Sequence, residues 1–376
     1  MNKSDITRDY FMLEGPLKEQ GYDWWWHSFT GKNERTGEEK SFFIEFFTCN
    51  PKEQQEAPVL GQLPLHKENK ITPSYVMVKA GWWGKDATQL HRFFPWKAVR
   101  LRNEPSFQIM MEDCFLSETM TMGKVKVSKT EVKEHPEYLC DSGEMEWNLT
   151  IDKQIAFHVG YGASKPFRKL NAFEMYWHAE GMKTQYEGQV RVNGENYVVT
   201  KEDSFGYADK NWGSDFTSPW VWLSSNDLYS KKYKCRLHNS VFDIGGGRPK
   251  AFGIPLNRKL LGAFYYEGTN YEFNFSKIWT LARTKFDCEE TKDKLIWRVC
   301  QDTKTARLQM EIHCNKEEML LVNYEAPNGK KLHNRLWNGG TGYGVLKLYE
   351  KRPDGIALVD EVLAKHVGCE YGVYEQ

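Results

Sequence analysis

The stretch Gln189-Val190-Arg191-Val192-Asn193-Gly194-Glu195-Asn196-Tyr197-Val198-Val199 decides the fold class. Valine and tyrosine alternate with polar residues on either side of Asn193-Gly194. That dipeptide tolerates the two positive φ angles of a type I′ turn, so the segment reads as a β-hairpin. The same period-two pattern recurs at Ser41–Phe47, Tyr75–Lys79, Thr119–Val127, Glu144–Ile151, Phe173–Glu180 and Pro219–Asn226. It continues at Tyr271–Ile278, Leu295–Cys300, Thr305–Ile312 and Gly344–Tyr349. Strands with alternating faces are the simplest source of such a pattern. Helical periodicity is scarce, with Asp86–Phe94, capped by Asp86, the best candidate for a short helix. The chain is therefore expected to be mainly β with few short helices. So many strands exceed one comfortable barrel or sandwich and suggest two units. The Gly-, Asp- and Ser-rich segment Lys201–Ser218 is the expected boundary, giving units 1–203 and 204–376. Gly245-Gly246-Gly247 and Gly339–Gly344 read as turns. Neither opens a helix carrying a Lys-Ser/Thr pair, which argues against phosphate binding.

Composition narrows the functional classes. The 376 residues carry 51 Lys+Arg against 51 Asp+Glu, so no basic excess exists to release counterions from a nucleic acid. Fourteen Trp, 19 Tyr and 21 Phe make 14% of the chain aromatic, a proportion suited to β-sheet cores and ligand pockets alike. Eight cysteines (49, 114, 140, 235, 288, 300, 314, 369) form no CxxC pair and read as free buried thiols. The first twenty residues hold Asp and Glu and no continuous apolar segment, so they do not read as a secretory signal. No window approaches 18 apolar residues, which argues against a transmembrane helix and leaves peripheral membrane contact open. A cytoplasmic protein is the expectation.

Three places could carry chemistry. In the first, Asp23-Trp24-Trp25-Trp26-His27-Ser28 is followed by Phe42-Phe43-Ile44-Glu45-Phe46-Phe47, where alternation puts Glu45 on one face with Phe43 and Phe47. A carboxyl group among phenyl rings can stay protonated near neutral pH and act as an acid, or can pair with a lysine. His27 beside the Trp run suits a hydrogen-bonded wall residue or a catalyst. In the second, Phe173–Glu180, alternation groups Tyr176 and His178 with Glu174 and Glu180, a polar set for a barrel lumen or for water. His178 and Glu180 lack an identifiable third ligand, so no metal is expected. In the third, Tyr207-Ala208-Asp209-Lys210-Asn211-Trp212-Gly213 leads to Trp220 and Trp222 on one strand face. This block suits either a cation-stabilising pocket or a structured interface in which Asn211 caps backbone groups.

This third block resembles the Tyr-x-Glu-Lys-Asn-Trp-Gly signature of tocopherol cyclase-like proteins, with Asp209 where that pattern has Glu. Pro219-Trp220-Val221-Trp222, Ser225-Asn226, and upstream Tyr176-Trp177-His178 and Tyr186-Glu187-Gly188 extend the resemblance over Phe173–Asn226. The family belongs to a wider lipocalin-like group that includes carotenoid hydratases. The resemblance implies two lipocalin-like β units packed side by side and a lipophilic substrate, prenylated or polyketide. It also implies a cofactor-independent reaction in which an alkene is protonated and an oxygen adds to it. On that reading Asp209 or Glu45 donates the proton, and His178 or Tyr176 orients or deprotonates the phenol. Trp25, Trp212, Trp220 and Trp222 form walls, while His27, Lys210 and Asn211 contribute to binding.

The leading expectation is an acid-catalysed cyclase, isomerase or hydratase. A carrier of a lipid, pigment or quinone is the alternative, favoured by a wholly apolar cavity. A glycosidase-like sandwich would need two carboxyl groups across an open groove.

Overall fold

The computed structural model describes residues 7–159, 165–329 and 332–373. The first twelve strands are β1 (Tyr22–Asn33), β2 (Glu39–Cys49), β3 (Tyr75–Trp82), β4 (Thr88–Phe94), β5 (Val99–Arg102) and β6 (Gln108–Met111), then β7 (Cys114–Ser117), β8 (Met120–Val127), β9 (Gly143–Phe157), β10 (Met175–Val192), β11 (Glu195–Val199) and β12 (Gly206–Gly213). They form one antiparallel sheet in the order β4-β3-β2-β1-β11-β10-β9-β8-β7-β6-β5, with β12 laid between β1 and β10. The sheet rolls into a small barrel, β4 folding back against β8 and β9 around a core that includes Trp25, Phe42, Phe46, Trp82 and Trp147.

The second half contributes β13 (Trp220–Ser225), β14 (Asp227–Ser230), β15 (Cys235–Arg236), β16 (Val241–Gly247), β17 (Lys250–Ala251), β18 (Ile254–Pro255) and β19 (Lys259–Tyr266), then β20 (Thr269–Phe273), β21 (Arg283–Glu290), β22 (Lys294–Asp302), β23 (Ala306–Asn315), β24 (Leu320–Glu325), β25 (Leu332–Arg352) and β26 (Gly355–Gly372). Its main sheet runs β20-β19-β16-β13-β26-β25-β23-β22-β21 and curls over a second core containing Phe242, Phe264, Trp297 and Leu346. A third apolar cluster lies between the two sheets and joins Trp26, Phe43, Phe47 and Trp177 to Trp220, Trp222 and Tyr324. No helix among the described residues is long and apolar enough to cross a membrane.

The mainly β architecture with two β units matches the expectation, and Asn193 and Gly194 have φ of 48° and 91° in the β10–β11 hairpin. Three local expectations are corrected. Asp86–Phe94 contains strand β4 rather than a helix, because Leu90 and Phe94 alternate into the barrel core while the backbone pairs with β3. The Gly245–Gly247 and Gly339–Gly344 runs lie inside β16 and β25 rather than in turns. A Cβ on Gly340 would come within 2.2 Å of the Trp83 ring, and one on Gly245 within 3.2 Å of Trp177. These glycines supply room for indoles from the facing sheet, not turn geometry. Finally, the cysteines are free but not uniformly buried: Cys235 is exposed. A division at 203/204 falls ahead of β12, which hydrogen-bonds into the first sheet. The change of sheet lies between Gly213 and Trp220.

Gly340→Ala should therefore destabilise the fold by about 1–3 kcal/mol, the usual range for overpacking. The urea midpoint reads this directly, and an unchanged midpoint would contradict the close-packing account.

Candidate functional site

Strands β3 and β12 are buried along their whole length on both faces, as is nearly all of β2 and most of β1 and the first half of β10. One face lines the barrel and the other meets the second sheet. Period two then assigns every residue of these strands to one compartment. Trp25, His27, His178, Lys210 and Trp212 face the barrel side, as does Tyr176 at the barrel's end. Glu45, Asp209 and Asn211, with Trp220 and Trp222 from β13, face the space between the sheets. The residues singled out in the sequence thus fall into two groups separated by the thickness of a sheet.

The barrel group is a buried charge network. Lys210 pairs with Asp23, its ammonium 4.0 Å from the centre of the Trp25 ring. Lys153 pairs with Glu180 and with Glu118 (2.8 Å), and His178 Nε2 lies 3.2 Å from Asp9. Burial raises Glu180 to about 8 and Asp9 to about 7, because these lysines cannot neutralise every carboxylate around them. Asp9, Glu118 and Glu180 come close enough to hold a cation, but the Lys153 ammonium already bridges two of them. His27 Nδ1 is 2.8 Å from the Tyr186 hydroxyl, whose own proton goes to the Tyr207 carbonyl, so the imidazole supplies the hydrogen. Burial pushes His27 down to about 3, leaving it neutral. The Tyr176 hydroxyl donates to the Phe167 carbonyl and its ring stacks on Trp212. These groups hold one another.

Between the sheets the balance differs. Asp209 Oδ2 accepts from Trp177 Nε1 (2.9 Å) and contacts the Tyr207 hydroxyl (3.1 Å). The same hydroxyl lies 3.3 Å from Asp243 Oδ2, and Trp222 Nε1 donates to Asp243 Oδ1 (3.1 Å) and to the Tyr207 oxygen (3.2 Å). Tyr207 owns one proton and can donate to one carboxyl at a time. A proton on one of the two carboxyls would satisfy the other contact. Burial, added to by the mutual proximity of the pair, drives Asp209 far above the normal carboxylate range, and burial alone does so for Asp243.

A few strands away, Glu45 pairs with Lys79 (3.0 Å) and accepts from the Tyr324 hydroxyl (3.0 Å), with all of its side chain and that of Lys79 out of water. Glu370, on β26, accepts from Trp220 Nε1 and from Asn338 Nδ2, both at 2.6 Å, and Asn338 accepts from Trp83 Nε1 (2.8 Å). Lys79 acts electrostatically on both glutamates. One ammonium thus serves two buried carboxyls. Burial lifts Glu370 to about 7.

Two adjoining cavities open beside these groups. One, of about 100 Å³, is lined by Phe173, Met175, Trp177, Trp220, Leu261 and Phe275 among others. The other, of about 20 Å³, shares Met175, Thr217 and Trp220 with it and adds Trp24, Phe216, Tyr324 and Glu370. Glu370 is the carboxyl group on this lining. Asp209 stands behind Trp177, and Glu45 stands behind Tyr324. Sequence reasoning missed Glu370, Asp243 and Lys79. The rule that singled out Glu45, a lone charge in an apolar alternating strand, applies equally to Val241-Phe242-Asp243-Ile244 and to Tyr75-Val76-Met77-Val78-Lys79.

Kievitone hydratase from Nectria haematococca is similar in structure, with a TM-score of 0.47 and 11% identity over 100% of this chain and 96% of its own. CghA gives a TM-score of 0.49 and 10% identity over 95% of this chain and 90% of its own. No curated protein matches the chain in sequence. The sequence profile described as tocopherol cyclase-like matches residues 38–373, beginning after the Asp23–Ser28 run and spanning both sheets, and the chain accordingly belongs to the tocopherol cyclase-like family.

Proposed function

We propose that this protein catalyses a proton-initiated cyclisation, isomerisation or hydration of a lipophilic small molecule held between the two sheets, with Glu370 as the acid. One observation carries the reading: a carboxyl group raised to about 7 lines the smaller of two adjoining cavities, which meet at Met175, Thr217 and Trp220 and are otherwise built largely of aromatic and aliphatic side chains. A protonated Glu370 would give its proton to an alkene or enol carbon. The cation so formed would lie over the indole of Trp220 or Trp24, where ring quadrupoles stabilise positive charge. An oxygen of the substrate, or water, then bonds to the cationic carbon and loses its proton to the Glu370 carboxylate. The acid is regenerated and no redox or group-transfer partner is consumed.

Trp220 and Asn338 aim the Glu370 oxygens and, as donors to the carboxylate, favour its ionised form. The Glu45–Lys79 pair beside it sets how firmly the proton is held, since Lys79 lowers and Glu45 raises the affinity of Glu370 for it. Asp209 takes the role of a neutral wall acid that fixes Trp177, and His178, Tyr176, Lys210, Trp25, His27 and Trp212 maintain the barrel that backs the site. A carrier remains the competing reading, favoured by the mainly apolar lining, and it has no use for a protonated carboxyl in the cavity.

Assayed with a panel of prenylated hydroquinones and polyenes, Glu370→Gln should lower kcat by about 10²–10⁴ while leaving substrate binding near the parent value. An unchanged rate on an accepted substrate would leave the cleft as a carrier site. The acid must be protonated to act, so kcat should fall as pH rises through about 7. A rate that climbs across that interval contradicts the assignment. Asp209→Asn, which retains a neutral polar group in the same volume, should keep activity within about threefold; a loss as large as that expected of a general acid would transfer the role to Asp209.

A further inference from the structure

The larger cavity carries one cation that the proposed chemistry does not use. Lys259 opens strand β19 and pairs in register with Gly247 of β16. It shares a sheet face with Leu261, which also lines the cavity, and with Ala263 in the apolar cluster between the sheets. Its ammonium lies 5.8 Å from the centre of the Phe275 ring and makes no hydrogen bond or ion pair among the described residues. Other lysines beside apolar grooves are already engaged. In the groove floored by Phe11, Trp96 and Leu101, Lys18 pairs with Glu53 (3.2 Å) and Lys97 with Glu56 (2.6 Å). Lys250, near the cavity rim, pairs with Glu174 (2.9 Å). Lys259 is half-buried, and no anion among the described residues compensates its charge.

Strand register gives the scale of the site. Lys259 lies opposite Gly247, Gly247 opposite Trp220, and Trp220 opposite Gly372, two residues from Glu370. Three strand spacings and two residue rises separate the Lys259 and Glu370 backbones by about 15 Å. The cavity walls between them, Leu261, Trp177 and Trp220, are apolar or aromatic. We infer that the cavity takes an organic anion, its carboxylate, sulfonate, phosphate or ionised enol held by Lys259 and its apolar body laid along Trp177 and Trp220 toward Glu370. The inference rests on the acid-catalysis reading only for what happens at the Glu370 end.

A pair of fluorescent probes with one ring system tests it: anilinonaphthalene sulfonate and its uncharged parent phenylnaphthylamine, titrated against the full chain. The sulfonate should bind the parent protein about tenfold to a hundredfold more tightly than the amine, the usual worth of a hydrogen bond to a charged group. Lys259→Met should remove that margin while leaving the amine's affinity unchanged, and Lys259→Arg should retain it. Equal affinity of the two probes for the parent, tight sulfonate binding by Lys259→Met, or failure of the sulfonate to bind at all would each overturn the inference. Glu370→Gln should bind both probes as the parent does. Loss of turnover in that variant therefore bears on the acid, and loss of the anion margin in Lys259→Met bears on the head group.

Discussion

A sheet buried on both faces has no side on which a charged residue can be left to water. Over much of their length, strands β1, β2, β3, β10 and β12 are such a sheet, with the barrel interior behind them and the second sheet in front. Every polar side chain on them must find a partner in place or lose its charge. Most of the electrostatics of this protein descends from that requirement. It explains why the charged residues of the wall come in contacting sets, Asp23 with Lys210 and Glu45 with Lys79, each pair spanning adjacent strands.

The two sides of the wall meet the requirement differently. Behind it, lysines lie among the carboxyls, and the network is held by ion pairs and His178. In front of it, among the described residues, Asp209 and Asp243 have only N–H and O–H donors around them, and Glu370 shares a single ammonium with Glu45. Neutral donors stabilise an anion much less than a cation does, so burial drives Asp209 and Asp243 well toward the protonated form, and behind the wall Glu180 and Asp9 rise too, to about 8 and about 7, where the lysines fall short. A store of neutral carboxylic acids next to aromatic walls is the physical condition that proton-initiated chemistry on an apolar molecule requires.

Much of this was legible in the residues. Alternation placed the strands, and Asn193-Gly194 placed a hairpin, because positive φ at two successive positions is a demand few residues meet. Glu45 was correctly set on a face with Phe43 and Phe47. The same parity applied to Asp209-Lys210-Asn211-Trp212 would have separated Asp209 from Lys210. The block looked instead like one cluster because its residue types suggested chemistry before geometry. Glycine misled for a related reason. A glycine-rich run announces that a side chain is missing, and the sequence does not say whether the backbone needs the freedom or a neighbour needs the space. Gly245 and Gly340 serve neighbours. Glu370 and Lys79 come together from strands nearly three hundred positions apart, and no local pattern encodes that meeting.

The indoles seated over glycines tie distant positions into complementary couples. Trp83 of the first half occupies the place of a side chain at position 340, and Trp222 does the same over Gly368 within the second sheet. Neither member of such a couple is free to drift alone: a larger residue under the ring displaces it, and a smaller ring leaves a void above a bare backbone. Divergence at these sites should therefore proceed in matched steps, so that across descendants of this chain the ring at 83 and the gap at 340 are inherited, or exchanged, together.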